Sequence, residues 1–502
     1  MGASPWPEHR SPGLIVAALW LAVAPIQAAQ AASQAAEPIT GPTAEPVTDP
    51  TASRPAPEPA DLIIFNATVL TLNAAGDTVE DGALVVRDGR IEAVGGAGLL
   101  ERYETETRLD AEGGIVMPGM INLHNHLPMV AFRGLGENGV PNRLVDFFFP
   151  LEKALLSREL IRTAARQAAI ESALAGVTLV TDMYYHEDEV ARSVSDVGIR
   201  GVLGESVIGF PVVDAPQPYG GLAYAERFIA EWKGHPLITP AVAPHAPYTV
   251  SPEWLLRARE LAEREAVPLL MHVAEMVDEP DRIRAGIGHF PEDRTVIAYL
   301  AEIGFLSDRL VAAHVIHASD ADIALLRRHG VGVAYNPKAN GFGAHGFAPA
   351  WDMARAGLEM GLGTDGPMSS NQMDLINVMG FAAYAARNRG VADSTRFTPF
   401  DLVRMATLGG ARALDREHEL GSLEAGKWAD VVIVDTAAPN MQPNYDPYAT
   451  LAFAAYPRNV RTVLVAGRFV VRDRVPVQVD LDAHRREWRA VTERVAAFAE
   501  PL

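Results

Sequence analysis

A few histidine and carboxylate side chains carry the chemistry this sequence offers. His124 and His126 stand two apart, just after the apolar run Gly114-Ile115-Val116-Met117 and the stop Pro118-Gly119. His272 ends Pro268-Leu269-Leu270-Met271, His314 ends Leu310-Val311-Ala312-Ala313, and Asp365 ends Gly361-Leu362-Gly363-Thr364. Imidazole and carboxylate suit a borderline divalent ion, and such an ion with one open position lowers the pKa of its water toward neutrality. The chain has no cysteine. That excludes thiolate metal sites, disulfides, cysteine nucleophiles and a lipidated N-terminal cysteine, and leaves nitrogen and oxygen as the only ligands. A His-x-His pair alone is weak evidence. Metal-ligand residues that repeatedly close apolar runs are a pattern that satisfied core histidines do not produce.

Residues so far apart need a frame that gathers them. From 118 to 420, short apolar runs alternate with helical patterns such as Ser157–Ala175 and Pro252–Arg264, the signature of a parallel sheet. Strand ends are expected near His124, Asp182, Leu203, His245, His272, His314, Asn336 and Asp365. Eight such units fit an α/β fold of the (β/α)8 TIM-barrel type, with a doubly wound open sheet as the alternative. In a barrel the C-terminal strand ends meet at one mouth. Side chains two apart on a strand share a side, so His124 and His126 both face the axis. Glu275, three residues beyond His272, returns to the same mouth.

The flanks read differently. In 61–117, Leu62-Ile63-Ile64 and Val69–Leu72 precede two β-like runs that flank the turn Asp88-Gly89. In 421–480, Ala429–Val434, Val460–Ala466 and Phe469–Val471 repeat that texture. Both segments are expected to join in one small β-sandwich domain enclosing the barrel, followed by a C-terminal helix over 481–502. Residues 1–31 read as a secretory signal peptide, with the apolar run Leu14–Ala24 and a cleavage site at Ala29-Gln30-Ala31. That run is shorter than the ~20 residues of a spanning helix, and Pro25 interrupts it. Residues 32–60, rich in Pro and Ala, read as a disordered linker. The expectation is an exported protein, periplasmic or secreted, with no membrane association once the signal is cleaved. A net charge of −20 argues against nucleic acid or an anionic membrane as partner and leaves a small-molecule substrate.

Pro118-Gly119 through His126, Met271-His272-Val273-Ala274-Glu275, Ala313-His314, Asn336-Pro337 and Leu362-Gly363-Thr364-Asp365-Gly366 resemble the amidohydrolase superfamily. The likeness is narrower still to its aromatic-amine deaminase branch, which includes adenosine, methylthioadenosine and S-adenosylhomocysteine deaminases, guanine deaminase and triazine hydrolases. It runs from about Asp61 to Val471. The resemblance implies His124, His126, His272 and Asp365 as ligands of one zinc, with iron the alternative, and Glu275 and His314 as catalytic groups beside it. Two-metal members use a carbamylated lysine at the fourth strand. Here the only nearby lysine, Lys233, precedes that strand, so one metal is expected. Asp365 would accept the proton of the attacking water, His314 would orient the hydroxide, and Glu275 would protonate a ring nitrogen as ammonia leaves. The bland alternative for Glu275 is a surface carboxylate at a helix start. Homo-oligomers are common in the family.

Substrate contacts follow from the same resemblance. His245, in Pro244-His245-Ala246-Pro247-Tyr248, matches a histidine that touches substrate in nucleoside deaminases. His186 lies within Asp182-Met183-Tyr184-Tyr185-His186-Glu187, which resembles the second-strand motif of the same group, with a loop hydrogen bond as the alternative role. Phe148, within Phe147-Phe148-Phe149, offers a stacking face or simply core. The family's arginine after the third strand becomes Glu205, which would repel a carboxylate and welcome an amine or a sugar. The family's tryptophan in the stretch matching Val140–Phe148 is absent, and Asn-Pro-x-Ser-Asn becomes Asn336-Pro337-Lys338-Ala339-Asn340. A purine, nucleoside or pterin-like amine is therefore expected ahead of S-adenosylhomocysteine. Two other readings stay open: a hydrolase of a ring amide, carbamate or carbon–halogen bond, and a secreted binding protein that has lost catalysis. The complete ligand set speaks against the second.

Overall fold

The computed structural model describes residues 56–137, 144–288, 290–390 and 392–499. The expected signal peptide and the linker as far as residue 55 lie outside these. The linker does not extend to residue 60. Glu58–Pro59 already pairs in parallel with Tyr103–Glu104, and the Arg87 guanidinium donates to Pro59 O at 2.6 and 2.9 Å. Two residues of strand held partly by a distant arginine leave no periodicity to read.

Eight parallel strands follow one another in chain order around a barrel: Met120–Asn125, Val177–Tyr184, Arg200–Val207, Ile238–Pro244, Leu269–Val273, Leu310–His314, Gly332–Tyr335 and Met360–Leu362. Alternate side chains such as Ile121 and Leu123, Ala241 and Ala243, and Val311 and Ala313 fill the interior. The intervening Leu269, Met271, Leu310 and Ala312 belong to the larger core outside it. The third strand continues past Leu203 to Val207 through Gly204-Glu205-Ser206, which are buried although they look polar in sequence.

The seam between the first and eighth strands is fastened next to the chemistry. Asp365 N–H donates to His124 O at 3.0 Å. The Asn122 and Asn125 amides donate to Thr364 Oγ1 at 2.8 and 3.0 Å. Gly363 permits this closeness, since a Cβ there would lie 3.1 Å from His124 Cβ.

Helices cover the barrel. Arg158–Leu174 starts where Ser157 Oγ accepts the Leu160 N–H, buries Leu160, Ile161, Ala164, Ala165, Ala168 and Ala169 at helical spacing, and ends before Gly176 at φ +85°. The C-terminal helix Leu481–Ala499 lies against it, with His484 Nε2 2.9 Å from Gln167 Oε1.

The two flanks build a nine-stranded sheet. Leu62, Ile64, Leu84 and Val116 from the first share one apolar core with Val431, Ile433 and Leu464 from the second. Arg200, at the start of the third barrel strand, grips buried Asp430 of this sheet through two hydrogen bonds of 2.7 and 3.0 Å. Sheet and barrel are thus locked together beneath the strands.

Candidate metal and catalytic site

His124, His126, His272 and Asp365 converge at the barrel mouth, each less than a tenth exposed. The His126 Nδ1–H donates to Met183 O at 2.7 Å, and the His272 Nδ1–H to His245 O at 2.8 Å. A carbonyl can only accept, so in each neutral ring Nε2 carries the lone pair. These two Nε2 atoms face each other at 3.3 Å. Asp365 Oδ1 stands 3.4 Å from His126 Nε2 and 3.6 Å from His124 Nε2, and His124 Nε2 is buried with no hydrogen-bond partner.

Unpartnered lone pairs aimed at one another are costly unless a cation sits among them. Ligands ~2.0–2.2 Å from a small divalent ion stand roughly 3–3.5 Å apart, which is the spacing of the closest pairs here. The donor set therefore fits zinc, and also iron. Burial, with a smaller push from neighbouring histidines, holds His124 and His272 well below the usual imidazole range and keeps them neutral as ligands require. Lys233 is exposed and paired with Glu265 at 3.2 Å, away from the mouth.

His314 adds a fifth polar group. Its Nδ1 lies 2.8 Å from Asn340 Oδ1, while its Nε2 is buried, unpartnered and within reach of the same centre as His124 and Asp365. Burial disfavours its charge, but the Glu275 and Asp365 carboxylates and the Asn340 bond outweigh burial and raise its pKa. His314 and Asp365 hold left-handed backbone, φ +74° and +61°. Such strain in non-glycine residues is sustained where the surroundings fix it, here at the turns that aim both side chains. Glu275 Oε2 lies 3.9 Å from His314 Nε2.

One cavity of about 410 Å³ joins these groups to further residues. Of the residues expected to contact substrate, His245 and Phe148 line it. His245 Nδ1 bonds Thr249 Oγ1 at 2.9 Å, and burial first, then His126, lowers its pKa to about 3, so it meets a ligand as neutral imidazole.

Glu205 and His186 do not line the cavity. Adjacent strand residues face opposite sides, so Ser206 turns inward and Glu205 outward. There Glu205 Oε2 accepts the Glu187 N–H at 3.1 Å, and burial together with Asp214 raises its pKa well above the carboxylate range. Neutral and hidden, it neither repels nor attracts a substrate. His186 caps helix Glu187–Val197 in left-handed backbone, with its ring beside Arg158, Tyr224 and Asp214.

Three cavity or supporting residues escaped sequence reasoning. Glu152, from helix Phe149–Leu155, accepts the Tyr184 hydroxyl at 2.5 Å; burial pushes it up to about 7, the tyrosine bond partly opposing. Glu279 braces the turn at Glu275, and His345 lies beside Glu275. An acid directly after the apolar Phe147–Leu151 run is the one signal for Glu152. The other two had none.

The Amidohydrolase family pattern matches residues 115–470. The 5-methylthioadenosine/S-adenosylhomocysteine deaminase of Syntrophobacter fumaroxidans is 37% identical over 445 residues, 88% of this chain and 98% of that protein. The 5-methylthioadenosine/S-adenosylhomocysteine deaminase 1 of Syntrophus aciditrophicus is 35% identical over 448 residues, 89% of this chain and 100% of that protein. The crystal structure of an adenosine deaminase from Xanthomonas campestris with bound zinc superposes with a TM-score of 0.84 at 32% identity, covering 88% of this chain and 100% of that one. On its barrel, its mouth and these matches, the chain belongs to the amidohydrolase family, hydrolases of carbon–nitrogen bonds.

Proposed function

We propose that this chain is an exported deaminase of adenine nucleosides of the methylthioadenosine and S-adenosylhomocysteine type, working with one divalent ion, zinc or iron. The observation that carries the reading is the shared cavity. His126, His272 and Asp365 of the metal cluster line it together with Glu275 and the buried carboxyl of Glu152. A carboxyl oxygen accepts hydroxyl donors, which suits a sugar-bearing substrate better than a free base. The volume falls within the usual range for small-molecule sites. Glu205, outside the cavity, no longer weighs against a substrate with a carboxylate tail. The names of the relatives support the same substrate class.

A bound ion supplies Lewis acidity and lowers the pKa of water at the site. The residues do the rest. Asp365 takes the water's proton, and His314, whose Nε2 faces the same centre, stabilises negative charge that develops on the attacked carbon's oxygen. Glu275 gives a proton to the ring nitrogen beside that carbon. His245 offers a neutral hydrogen-bonding face, and Phe148 an apolar one. Export rests on the Leu14–Ala24 run and Ala29-Gln30-Ala31, and N-terminal sequencing of the mature protein checks it.

Ammonia release by the metal-loaded protein from methylthioadenosine, S-adenosylhomocysteine, adenosine, adenine and a pterin tests the proposal. The two thioether nucleosides should turn over fastest. Absence of ammonia from every adenine nucleoside contradicts it.

A further inference from the structure

We propose that His345 is a positioning residue for Glu275, returning to this acid the proton it spends in each turnover. The inference rests on the deaminase reading above. Where the amine leaves already protonated, as ammonium, it carries both hydrogens of the water, and the ring nitrogen keeps the proton from Glu275. Glu275 is then one proton short, and solvent must supply it. No oxidant or further reactant enters.

Glu275 sits between two imidazoles. Its Oε2 lies 3.9 Å from His314 Nε2, and its Oε1 lies 3.8 Å from His345 Nε2. The two histidines differ in access: the His314 side chain is 1% exposed and the His345 side chain 34% exposed. Glu275 itself is 18% exposed, and of the two imidazoles beside it His345 is the one that water reaches. As imidazolium, His345 donates to the Glu275 carboxylate; left neutral, it takes a proton from solvent.

The fold holds this arrangement. Asn340 bonds His314 Nδ1 through its side chain at 2.8 Å and accepts the His345 N–H on its carbonyl at 3.0 Å, tying both histidines to one residue. Gly343 leaves space for the ring, since a Cβ there would lie 2.5 Å from His345 Cδ2. Asp278 and His317 also face His345, and Glu279, Tyr248 and Arg282 face Glu275.

The test compares the metal-loaded wild type with His345→Ala and His345→Gln, after equal metal content and melting temperature are verified. Both variants should lose kcat by about 10- to 100-fold, more at higher pH, with KM within about twofold. Imidazole in the buffer should restore His345→Ala and leave His345→Gln unchanged. Unaltered kcat in both variants, a rise in KM alone, or a loss that imidazole does not relieve and that keeps the wild-type pH profile overturns the inference. So does failure of either variant to fold or keep its metal, which marks His345 as structural. A wild type inactive on every adenine nucleoside overturns the deaminase reading and this inference with it, an outcome distinct from the others.

Discussion

The Glu279 carboxylate receives the backbone N–H of Glu275 at 2.8 Å. It takes the Ala274 and Met276 N–H groups as well, at 3.2 and 3.5 Å. Three successive amides, with Ala274 at φ +51°, cradle one buried acid where the fifth barrel strand turns into its helix. That cradle sets the direction in which Glu275 enters the cavity.

Glu279→Gln keeps one acceptor oxygen and turns an amide NH2 toward the remaining donors. A buried donor left unsatisfied costs about 1–3 kcal/mol, so we expect a stability loss of about 2 kcal/mol. Deamination should slow by roughly tenfold through misaimed Glu275, with metal content unchanged. Thermal melts, metal analysis and kcat measure this. A variant as fast and as stable as wild type removes Glu279 from the account.

Burial raises Glu152 from 4.5 to about 7. The folded protein therefore binds a proton there that the unfolded chain releases. Stability from this group is fully present below about pH 4.5 and is lost as pH rises through about 7. A shift of that size corresponds to roughly 3 kcal/mol. Glu152→Gln stays neutral throughout, so its melting temperature relative to wild type should climb between pH 5 and pH 8. A constant difference across that range contradicts the assignment.

What the sequence revealed depended on where each residue sat. His124, His126, His272, His314 and Asp365 close apolar strands, and parallel strands bring their C-terminal ends together, so their convergence followed from reading the runs. Glu205 was misplaced because a strand's faces alternate every residue and a one-residue uncertainty inverts them. The polar look of Gly204-Glu205-Ser206 hid that the third strand continues. Glu152 and His345 come from a helix and a loop, and tertiary packing alone brings them to the mouth, while Glu279 opens the helix after the fifth strand and acts there through the backbone of Glu275. His186 stands outside the cavity, hydrogen-bonded near Arg158, because its left-handed backbone turns the ring that way.

The account stands most directly on Glu275 as the proton donor beside the metal cluster. Ammonia release from methylthioadenosine by metal-loaded wild type and Glu275→Gln, with metal content measured on both, tests it. We predict equal metal content and a kcat lower by about 10³-fold in the variant. Equal rates from the two proteins at equal metal content contradict the account.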